Sequence, residues 1–218
     1  KWTMAFGRDY GARAEKGDLS LIYSYLESEL TSQKKFDAIL LPLSHGWERL
    51  TRASREALAR RVREGCGLVL VRPFESELSP LSPPQPVRLP ADASAPVEPG
   101  PAESSPWRRT SDHYITRAIP VESFPFKYLQ NYVYRAASDA TVLIRSESGN
   151  PVLAVRPYGK GRVVAFAYKN AGLSWQMPMS ARGFVSDLHW EYFYAMLCRA
   201  LICAAGREPV APADFTEW

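Results

Sequence analysis

The chain has 218 residues, of which 46% are hydrophobic and 23% charged, ordinary values for a globular domain with one sizeable core. No run of about 18 apolar residues occurs, so we expect no membrane span in this segment. The net charge is only +4, and no nucleic-acid partner is expected, because nucleic-acid binders concentrate positive charge on one face. The chain starts at Lys1, and we expect it to be a piece of a larger secreted or periplasmic protein.

The first third of the chain alternates between strand-like and helix-like patterns. Short apolar runs are typical of strands covered on both faces, and apolar residues that recur every three or four positions are typical of helices. In chain order, the patterns predict a strand at 2–6, a helix at 19–30, a strand at 36–41, a helix at 51–64 and a strand at 67–71. This alternation predicts a parallel sheet with right-handed crossovers.

The densest group of positive charges falls on the second predicted helix. Six arginines and three glutamates are mixed between residues 48 and 64. Mixed signs on one helix are typical of a face that is exposed to water, and we interpret this segment in that way.

Residues 79–106 are rich in proline, serine and alanine. Proline removes a backbone donor, so this stretch continues neither a helix nor a central strand. We expect a long surface excursion that is partly extended. It is not a linker between domains, because the patterns that follow resume the same sheet.

The second half is rich in strand patterns. Candidate strands cover 131–135, 141–145, 152–156 and 162–168. Glycines at 159 and 161 suit a tight hairpin turn. A final amphipathic helix is predicted over residues 185–205, with Gly206 as its cap.

Together these patterns predict an α/β domain over residues 1–207. Its sheet has a parallel core of about six or more strands, helices on both faces and a C-terminal β-hairpin extension. Residues 208–218 are expected to form a tail that leads to a further domain.

Three cysteines, Cys66, Cys198 and Cys203, do not form a disulfide framework or a zinc-binding pattern. We expect all three to be buried as small apolar side chains. No metal and no cofactor is predicted.

Four segments of the chain are each weak motifs, but their order and spacing together are more specific than any one of them. They are FDAILLPLSHGW (36–47), EGCGLVL (64–70), DHYITRAIP (112–120), and PVLAVRPYGKGRVVAFAY (151–168) with the helix that begins HWEYFY (189–194). The combination resembles the class I glutamine-amidotransferase-like domains found inside larger bacterial proteins. Relatives include the trehalose-utilisation type and the middle domain of some β-galactosidases.

The resemblance implies a flavodoxin-like, three-layer α/β/α sandwich with a mostly parallel sheet. Active members of the family use a Cys-His-Glu triad whose cysteine follows the central strand. Here that position reads Arg72-Pro73-Phe74-Glu75, which supplies no nucleophile, and Pro73 has no N–H for an oxyanion hole. Cys66 precedes the strand, at its other end. We therefore predict a degenerate domain without catalytic residues.

His189 and Glu191 have the spacing of the triad's remaining members. Residues two apart on a helix point in different directions. We favour a packing role at the start of the helix, and a vestigial triad is the alternative.

A ligand of an open α/β sheet binds beyond the carboxyl ends of the strands. Three loops, 43–47, 72–77 and 169–176, are predicted to meet there, and the resemblance brings the 112–120 segment to the same rim. The candidate ligand-binding residues are His45, Trp47, Arg72, Glu75, His113, Asn170 and Trp175. Aromatic, cationic and anionic groups together suit a small polar ligand, such as a carbohydrate. Alternatively, the proline-rich excursion fills the rim, and the domain is an interaction scaffold.

A competing hypothesis is a hydrolase that acts at the same strand ends through Ser44, His45, His113 or Glu75. It requires one of the histidines within hydrogen-bond reach of a nucleophile or carboxylate in a single cleft.

Overall fold

A computed structural model describes residues 20–41, 50–73, 75–84, 100–124, 130–168 and 187–209, with the side chains of 20–23 and 187–190 excepted. Its helices are α1 (Ser20–Thr31), α2 (Arg52–Glu64) and α3 (Asp187–Ala204). Its strands are β1 (Ala38–Leu41), β2 (Gly67–Val71), β3 (Leu81–Ser82), β4 (Ala102–Glu103), β5 (Trp107–Arg109), β6 (Asn131–Tyr132), β7 (Arg135–Ala136), β8 (Thr141–Ser146), β9 (Pro151–Tyr158) and β10 (Gly161–Phe166). The candidate strand at 2–6 lies outside the described residues.

Six strands form one sheet in the order β1-β2-β10-β9-β8-β5. β1, β2 and β10 are parallel, whereas β9, β8 and β5 each pair in the antiparallel sense. The expectation of a mostly parallel sheet is therefore wrong, and the sheet is mixed. The physical reason is the length of the connections, since the short turns at 147–150 and 159–160 can join only antiparallel neighbours.

The strand predicted at 67–71 is confirmed as β2, in the interior of the sheet. All five residues of β2 are buried, between β1 and β10. Their side chains alternate between two apolar clusters: Leu68 and Leu70 belong to one, Val69 and Val71 to the other. A short run covered on both faces gives this pattern.

Helices pack on both faces of the sheet. Leu30 of α1 and Leu58 and Val62 of α2 join the cluster of Leu68 and Leu70. On the opposite face, α3 supplies the buried residues Phe193, Met196, Leu197, Ala200, Cys203 and Ala204. Among the described helices, none combines the length and the apolar composition that a membrane span requires.

Arg61 corrects the expectation that the arginines of α2 only face water. Its guanidinium donates to the carbonyl oxygens of Leu30 at 2.8 Å and of Ser32, where α1 ends. The last carbonyls of a helix have no partner within the helix. Arg61 thus caps α1 and joins the two helices, while Arg60 is exposed.

Two glycines allow close packing at the start of the parallel strands. A Cβ on Gly67 would lie 2.3 Å from the backbone carbon of Ala204, and one on Gly161 would lie 2.2 Å from the carbonyl oxygen of Val62. Both helix ends therefore rest directly on the sheet.

The proline-rich excursion is only partly a surface feature. Leu81 is fully buried, and Ser79, Pro80 and Pro83 are buried beside it. Leu81 packs in the same cluster as Leu58, and this apolar contact is why the segment turns inwards. The described residues of the excursion are extended, since they form β3, paired with β7, and β4, paired with β6.

Among the described residues, β5 is the last strand of the sheet beyond β8. Its residue Arg109 uses its backbone N–H to donate to the Oε1 of Glu122 at 2.9 Å. Glu122 lies in a single 3₁₀ turn, Val121–Ser123, and its carboxylate covers this donor.

Cysteine burial differs from the expectation at one position. Cys66 and Cys203 are buried, but Cys198 is exposed. Residues 198 and 203 are five apart on α3, so they do not share a face of the helix.

Candidate functional site

The parallel strands β1, β2 and β10 end at one edge of the sheet, here called the carboxyl edge. Arg72 directly follows β2 at this edge. Its backbone N–H donates to the carbonyl oxygen of Phe166, the last residue of β10, at 2.9 Å. This bond fixes the turn that leaves the central strand.

Arg72 has a φ of 56°, in the left-handed region. A residue other than glycine pays about 1–3 kcal/mol for such a conformation, and strained residues of this kind cluster at functional sites. The guanidinium carbon lies 5.6 Å from the centre of the Tyr132 ring, within range of a cation–π interaction. No local pattern predicts this conformation, because arginine is not a residue that favours positive φ.

The chemistry at this position is that of a permanent cation. An arginine side chain stays protonated in proteins and is neither a nucleophile nor a base. The next residue, Pro73, is buried and has no N–H to donate. A guanidinium binds carboxylates and similar anions through paired hydrogen bonds.

The carboxyl edge is closed beyond β10 by β6 and β4. The N–H of Tyr132 donates to the carbonyl oxygen of Ala167 at 2.7 Å, and Asn131 forms an isolated bridge with Tyr168. Both Asn131 and Tyr132 are fully buried. β4, which belongs to the proline-rich excursion, pairs with β6, so the excursion reaches this part of the rim.

A chain of polar contacts satisfies the buried Asn131. Its Oδ1 accepts from the indole N–H of Trp107 at 3.2 Å, and its Nδ2 donates to Glu103 at 3.1 Å. Burial alone would raise the pKa of Glu103, but hydrogen bonds from Ser146, Asn131 and neighbouring side chains outweigh it and lower the pKa. Glu103 is therefore an ionised structural group.

Glu75 is exposed, three residues beyond Arg72. The chain then leaves the carboxyl edge, since the carbonyl of Glu77 accepts from Arg156 at 2.7 Å and its carboxylate accepts from the hydroxyl of Tyr158 at 3.3 Å. Glu75 therefore remains the acidic group nearest in sequence to Arg72.

His113 lies in a turn, and its ring supports that turn. Its Nδ1 accepts the backbone N–H of Ile115 at 3.2 Å, and its carbonyl accepts from the N–H groups of Thr116 and Arg117. Burial lowers the pKa of His113, and the positive charge of Arg162 lowers it further. At neutral pH the imidazole is therefore mainly neutral.

The position of His113 differs from the one the resemblance implied. The imidazole of His113 lies close enough to Arg162 for the positive charge of Arg162 to lower its pKa. Arg162 lies at the start of β10, opposite Pro157 of β9. Arg72 is bonded to the end of β10, about 13 Å further along the strand at about 3.3 Å per residue. The described residues do not bring His113 together with Arg72 and Glu75, so they do not form the cleft that the hydrolase hypothesis requires.

The remaining candidates are His45, Trp47, Asn170 and Trp175. All four lie outside the described residues, as do the side chains of His189 and Trp190. Their ligand-binding and packing roles stay predictions.

Cys66 does not provide the missing nucleophile. It lies at the end of the sheet opposite Arg72, immediately before β2. Burial raises the pKa of its thiol to about 11. The reactive form of cysteine is the thiolate, which this environment disfavours.

Another feature is an open depression of about 430 Å³ lined by Arg109, Thr110, Ser111 and Asp112. The hydroxyls of Thr110 and Ser111 already donate to the carbonyl of Val142, at 2.7 and 3.5 Å. The depression adjoins His113 in sequence and lies away from Arg72. Within the described parts of the chain, no group of three or more His, Cys, Asp or Glu side chains could hold a metal ion.

Comparison with known proteins gives a likeness of fold. No family model matches the sequence, and no curated protein matches it. Among solved structures, the chain resembles the cytoplasmic protein STM3548 from Salmonella typhimurium, with a TM-score of 0.51, 14% identity and coverage of 82% of this chain and 78% of that one.

Two further structures show weaker likeness. The cytoplasmic protein STM1381 from Salmonella typhimurium LT2 has a TM-score of 0.49, 18% identity and coverage of 82% of this chain and 79% of that one. A β-galactosidase from Bacillus circulans sp. alkalophilus has a TM-score of 0.48 and 14% identity, covering 95% of this chain and 28% of that one. At these identities the likeness concerns the α/β fold alone.

Proposed function

We propose that this chain is a non-catalytic, glutamine-amidotransferase-like module of a larger bacterial protein. In this proposal it has a flavodoxin-like three-layer arrangement and binds a small polar ligand at the carboxyl edge, beyond β1 and β2. A carbohydrate that carries a carboxylate, such as a sugar acid, is the ligand class that suits the site best.

The single observation that carries the proposal is the strained Arg72. The residue after the central strand is where the amidotransferase-like family places its nucleophile, and this chain has a cation there with a φ of 56°. An arginine cannot attack an amide, but it can hold an anion. With an arginine in place of the nucleophile, this position can bind an anion but cannot carry out the attack on an amide.

The geometry around Arg72 restricts where the ligand can lie. The edge beyond β10 is occupied by the buried residues Asn131 and Tyr132. We place the ligand above β1 and β2, where Glu75 is exposed. We propose that the ligand's carboxylate pairs with Arg72 and that a hydroxyl donates to Glu75, while His45, Trp47, Asn170 and Trp175 complete the site from the adjoining loops.

The test is a thermal-shift screen of neutral sugars, sugar acids and simple carboxylates. We expect sugar acids to raise the melting temperature of the parent chain, and Arg72→Ala to lose this response. Arg60→Ala is the matched control, because Arg60 is an exposed arginine on α2, and it should respond like the parent. If no compound stabilises the parent, or Arg72→Ala responds equally, the edge is not a ligand site and the domain is better described as a scaffold.

A second assay addresses catalysis. Incubation with glutamine should release no ammonia above background, because the described residues supply no activated nucleophile at the carboxyl edge. Turnover above that of a heat-denatured sample would contradict the non-catalytic assignment, whatever the result of the ligand screen.

A further inference from the structure

The turn at residues 113–117 closes around the imidazole of His113. The Nδ1 of His113 accepts the backbone N–H of Ile115 at 3.2 Å, and its carbonyl oxygen accepts from the N–H groups of Thr116 and Arg117 at 3.0 and 2.9 Å. A backbone N–H is always a donor, so Nδ1 carries no proton in this geometry. The closed turn therefore requires the neutral imidazole, with its proton on Nε2.

The closed turn leads into a strained residue, Ala118. Its φ is 56°, in the left-handed region that residues with a Cβ rarely adopt. Such a conformation persists only where neighbouring contacts hold it. Here the N–H of Ile119 donates to the carbonyl oxygen of Thr116 at 3.1 Å, and the side chain of Ile115 is fully buried in the cluster on the α3 face. Contacts, and not the preference of the backbone itself, keep this segment closed.

The charges around the imidazole do not favour its protonated form. Within the described residues, the groups that face it are Arg162 at the start of β10, Glu208 after α3, and Asp112 and Arg117 of its own segment. Both carboxylates are already paired, Glu208 with Arg162, and Asp112 with Arg117 at 3.3 Å. Burial lowers the pKa of His113 from its ordinary value of 6.5, and the charge of Arg162 lowers it further. Neither carboxylate is left to stabilise a proton on this ring.

The same turn connects β5 to α3. The carbonyl oxygen of Thr116 accepts from the guanidinium of Arg109, in β5, at 3.3 Å. The carbonyl oxygen of Arg117 accepts from the guanidinium of Arg199, in α3, whose central carbon lies 5.8 Å from the centre of the Tyr114 ring. Opening of the turn would release both guanidinium groups from their carbonyl partners.

We propose that His113 is an acid-sensitive switch that opens this turn. A proton on Nδ1 places two donors against each other, the imidazolium N–H and the N–H of Ile115, so the protonated ring cannot keep the closed arrangement. When the turn opens, Ala118 relaxes, and Arg109 and Arg199 lose their carbonyl partners. Acid thus frees two cations beside the depression described above, by a local change of charge acting on a strained segment.

The direction of the pH dependence follows from where the proton binds better. In the open turn His113 has its ordinary pKa of 6.5, whereas in the closed turn the pKa is lower. Above pH 6.5 both forms are neutral, and the closed turn is fully favoured. As the pH falls below 6.5 the open turn binds more protons, so closing becomes less favourable until the lowered pKa is passed.

Amide exchange at Ile115, followed by NMR on the full chain, tests the switch. Its protection factor, which corrects for the intrinsic exchange rate, should fall by about tenfold between pH 7.5 and pH 4.5. The amides of β9 should stay protected, which separates opening of the turn from unfolding. Long-range proton–nitrogen spectra of the ring should show Nδ1 unprotonated at pH 7.5 and protonated at pH 4.5.

Three results would overturn the proposal. The first is a ring that takes up its proton while Ile115 keeps its protection. The second is a ring that is protonated on Nδ1 at pH 7.5 or stays neutral at pH 4.5. The third is loss of protection at Ile115 together with the amides of β9, because the change would then be global.

His113→Asn is the matched variant. The side-chain oxygen of asparagine can also accept the N–H two residues ahead, and it does not titrate. Protection of Ile115 in this variant should agree at the two pH values within about twofold. An asparagine variant that loses protection in acid like the parent would show that another group opens the turn.

Ala118→Gly tests the role of strain separately. Glycine adopts the left-handed conformation without the penalty that alanine pays, so protection of Ile115 should rise about fivefold at both pH values. The fall between pH 7.5 and pH 4.5 should remain about tenfold, because His113 is unchanged. An unchanged protection factor at both pH values would show that strain at Ala118 does not help to open the turn. If the asparagine variant does not fold, the ring spectra and the exchange of the parent still decide whether His113 is the switch.

Discussion

Arg61 of α2 holds the end of α1 through Leu30, whose carbonyl oxygen accepts from the guanidinium Nε at 2.8 Å. The same group reaches the carbonyl of Ser32. One side chain thus completes the hydrogen bonding of a helix that it does not belong to.

Arg61→Ala should therefore lower the free energy of unfolding by about 2–3 kcal/mol, because hydrogen bonds to charged groups contribute about 1.5–3 kcal/mol each. Urea denaturation followed by circular dichroism measures this change. Arg60→Ala is the control, and as an exposed surface substitution it should stay within about 0.5 kcal/mol. Equal effects of the two substitutions would show that the cap is not needed.

Gly67→Ala should be strongly destabilising, by about 2–3 kcal/mol, because its Cβ would lie 2.3 Å from the backbone of Ala204. Backbone cannot move aside as a flexible side chain can. Gly149→Ala is a useful comparison, since a Cβ there meets open space within 4 Å and only the φ of 86° opposes it. It should cost about 1 kcal/mol. Thermal unfolding of both variants gives the ranking, and the reverse order would place the end of α3 further from β2.

Arg72→Gly and Arg72→Ala separate strain from binding. Both remove the guanidinium, but glycine adopts a φ of 56° without the penalty that alanine pays. We expect the glycine variant to be about 1 kcal/mol more stable than the alanine variant, while neither responds to sugar acids. Differential scanning calorimetry reports the first difference, and an alanine variant as stable as the glycine variant would show that the turn relaxes.

Thiol labelling should distinguish the three cysteines. Cys198 is exposed, whereas Cys66 and Cys203 are buried. Iodoacetamide at pH 8, followed by peptide mass spectrometry, should modify Cys198 first and the other two only after unfolding. Rapid modification of Cys66 in the folded chain would contradict its burial.

The buried thiols also predict a dependence of stability on alkaline pH. Burial raises the pKa of Cys66 and of Cys203 from 9.0 to about 11. Below pH 9 both thiols are protonated whether the chain is folded or not, and this contribution is fully present. Above pH 9 the unfolded chain loses its protons first, so stability falls until about pH 11. Each thiol should account for about 1–2 kcal/mol.

Urea midpoints between pH 8 and pH 11 measure this loss. Cys66→Ala should fall less steeply with pH than the parent, because one of the two titrating thiols is gone. Cys198→Ala serves as the matched control and should keep the parent's slope. If the urea midpoint of Cys66→Ala falls with pH as steeply as that of the parent, the Cys66 thiol does not cause the loss of stability at alkaline pH.

Sequence patterns predict the fold best where burial dictates composition. The run GLVLV at 67–71 is apolar on both faces and became the central strand, and the hairpin between β9 and β10 followed from Gly159 and Gly161. β8 and β9 pair in the antiparallel sense because the connection between them is too short for a parallel crossover. The spacing of the turn residues in the sequence was sufficient to predict this pairing.

The candidate site was less predictable. β4 and β6 have two residues each, too few to show any periodicity, so their closure over the edge beyond β10 has no signature in the sequence. The φ of Arg72 depends on its bond to Phe166, 94 positions away. The location of His113 within range of the charge of Arg162 depends on how its turn packs in the folded chain, which no local pattern encodes.

The carboxylate of Glu122 against the N–H of Arg109 also limits how this protein can assemble. A fibril that grows by adding strands needs an open backbone edge on both sides of each sheet. At β5 the outward donor of Arg109 is already used, and an approaching strand would meet a negative charge. Strand addition at β5 would therefore have to displace the Glu122 carboxylate, so this contact disfavours edge-to-edge association on this side of the sheet.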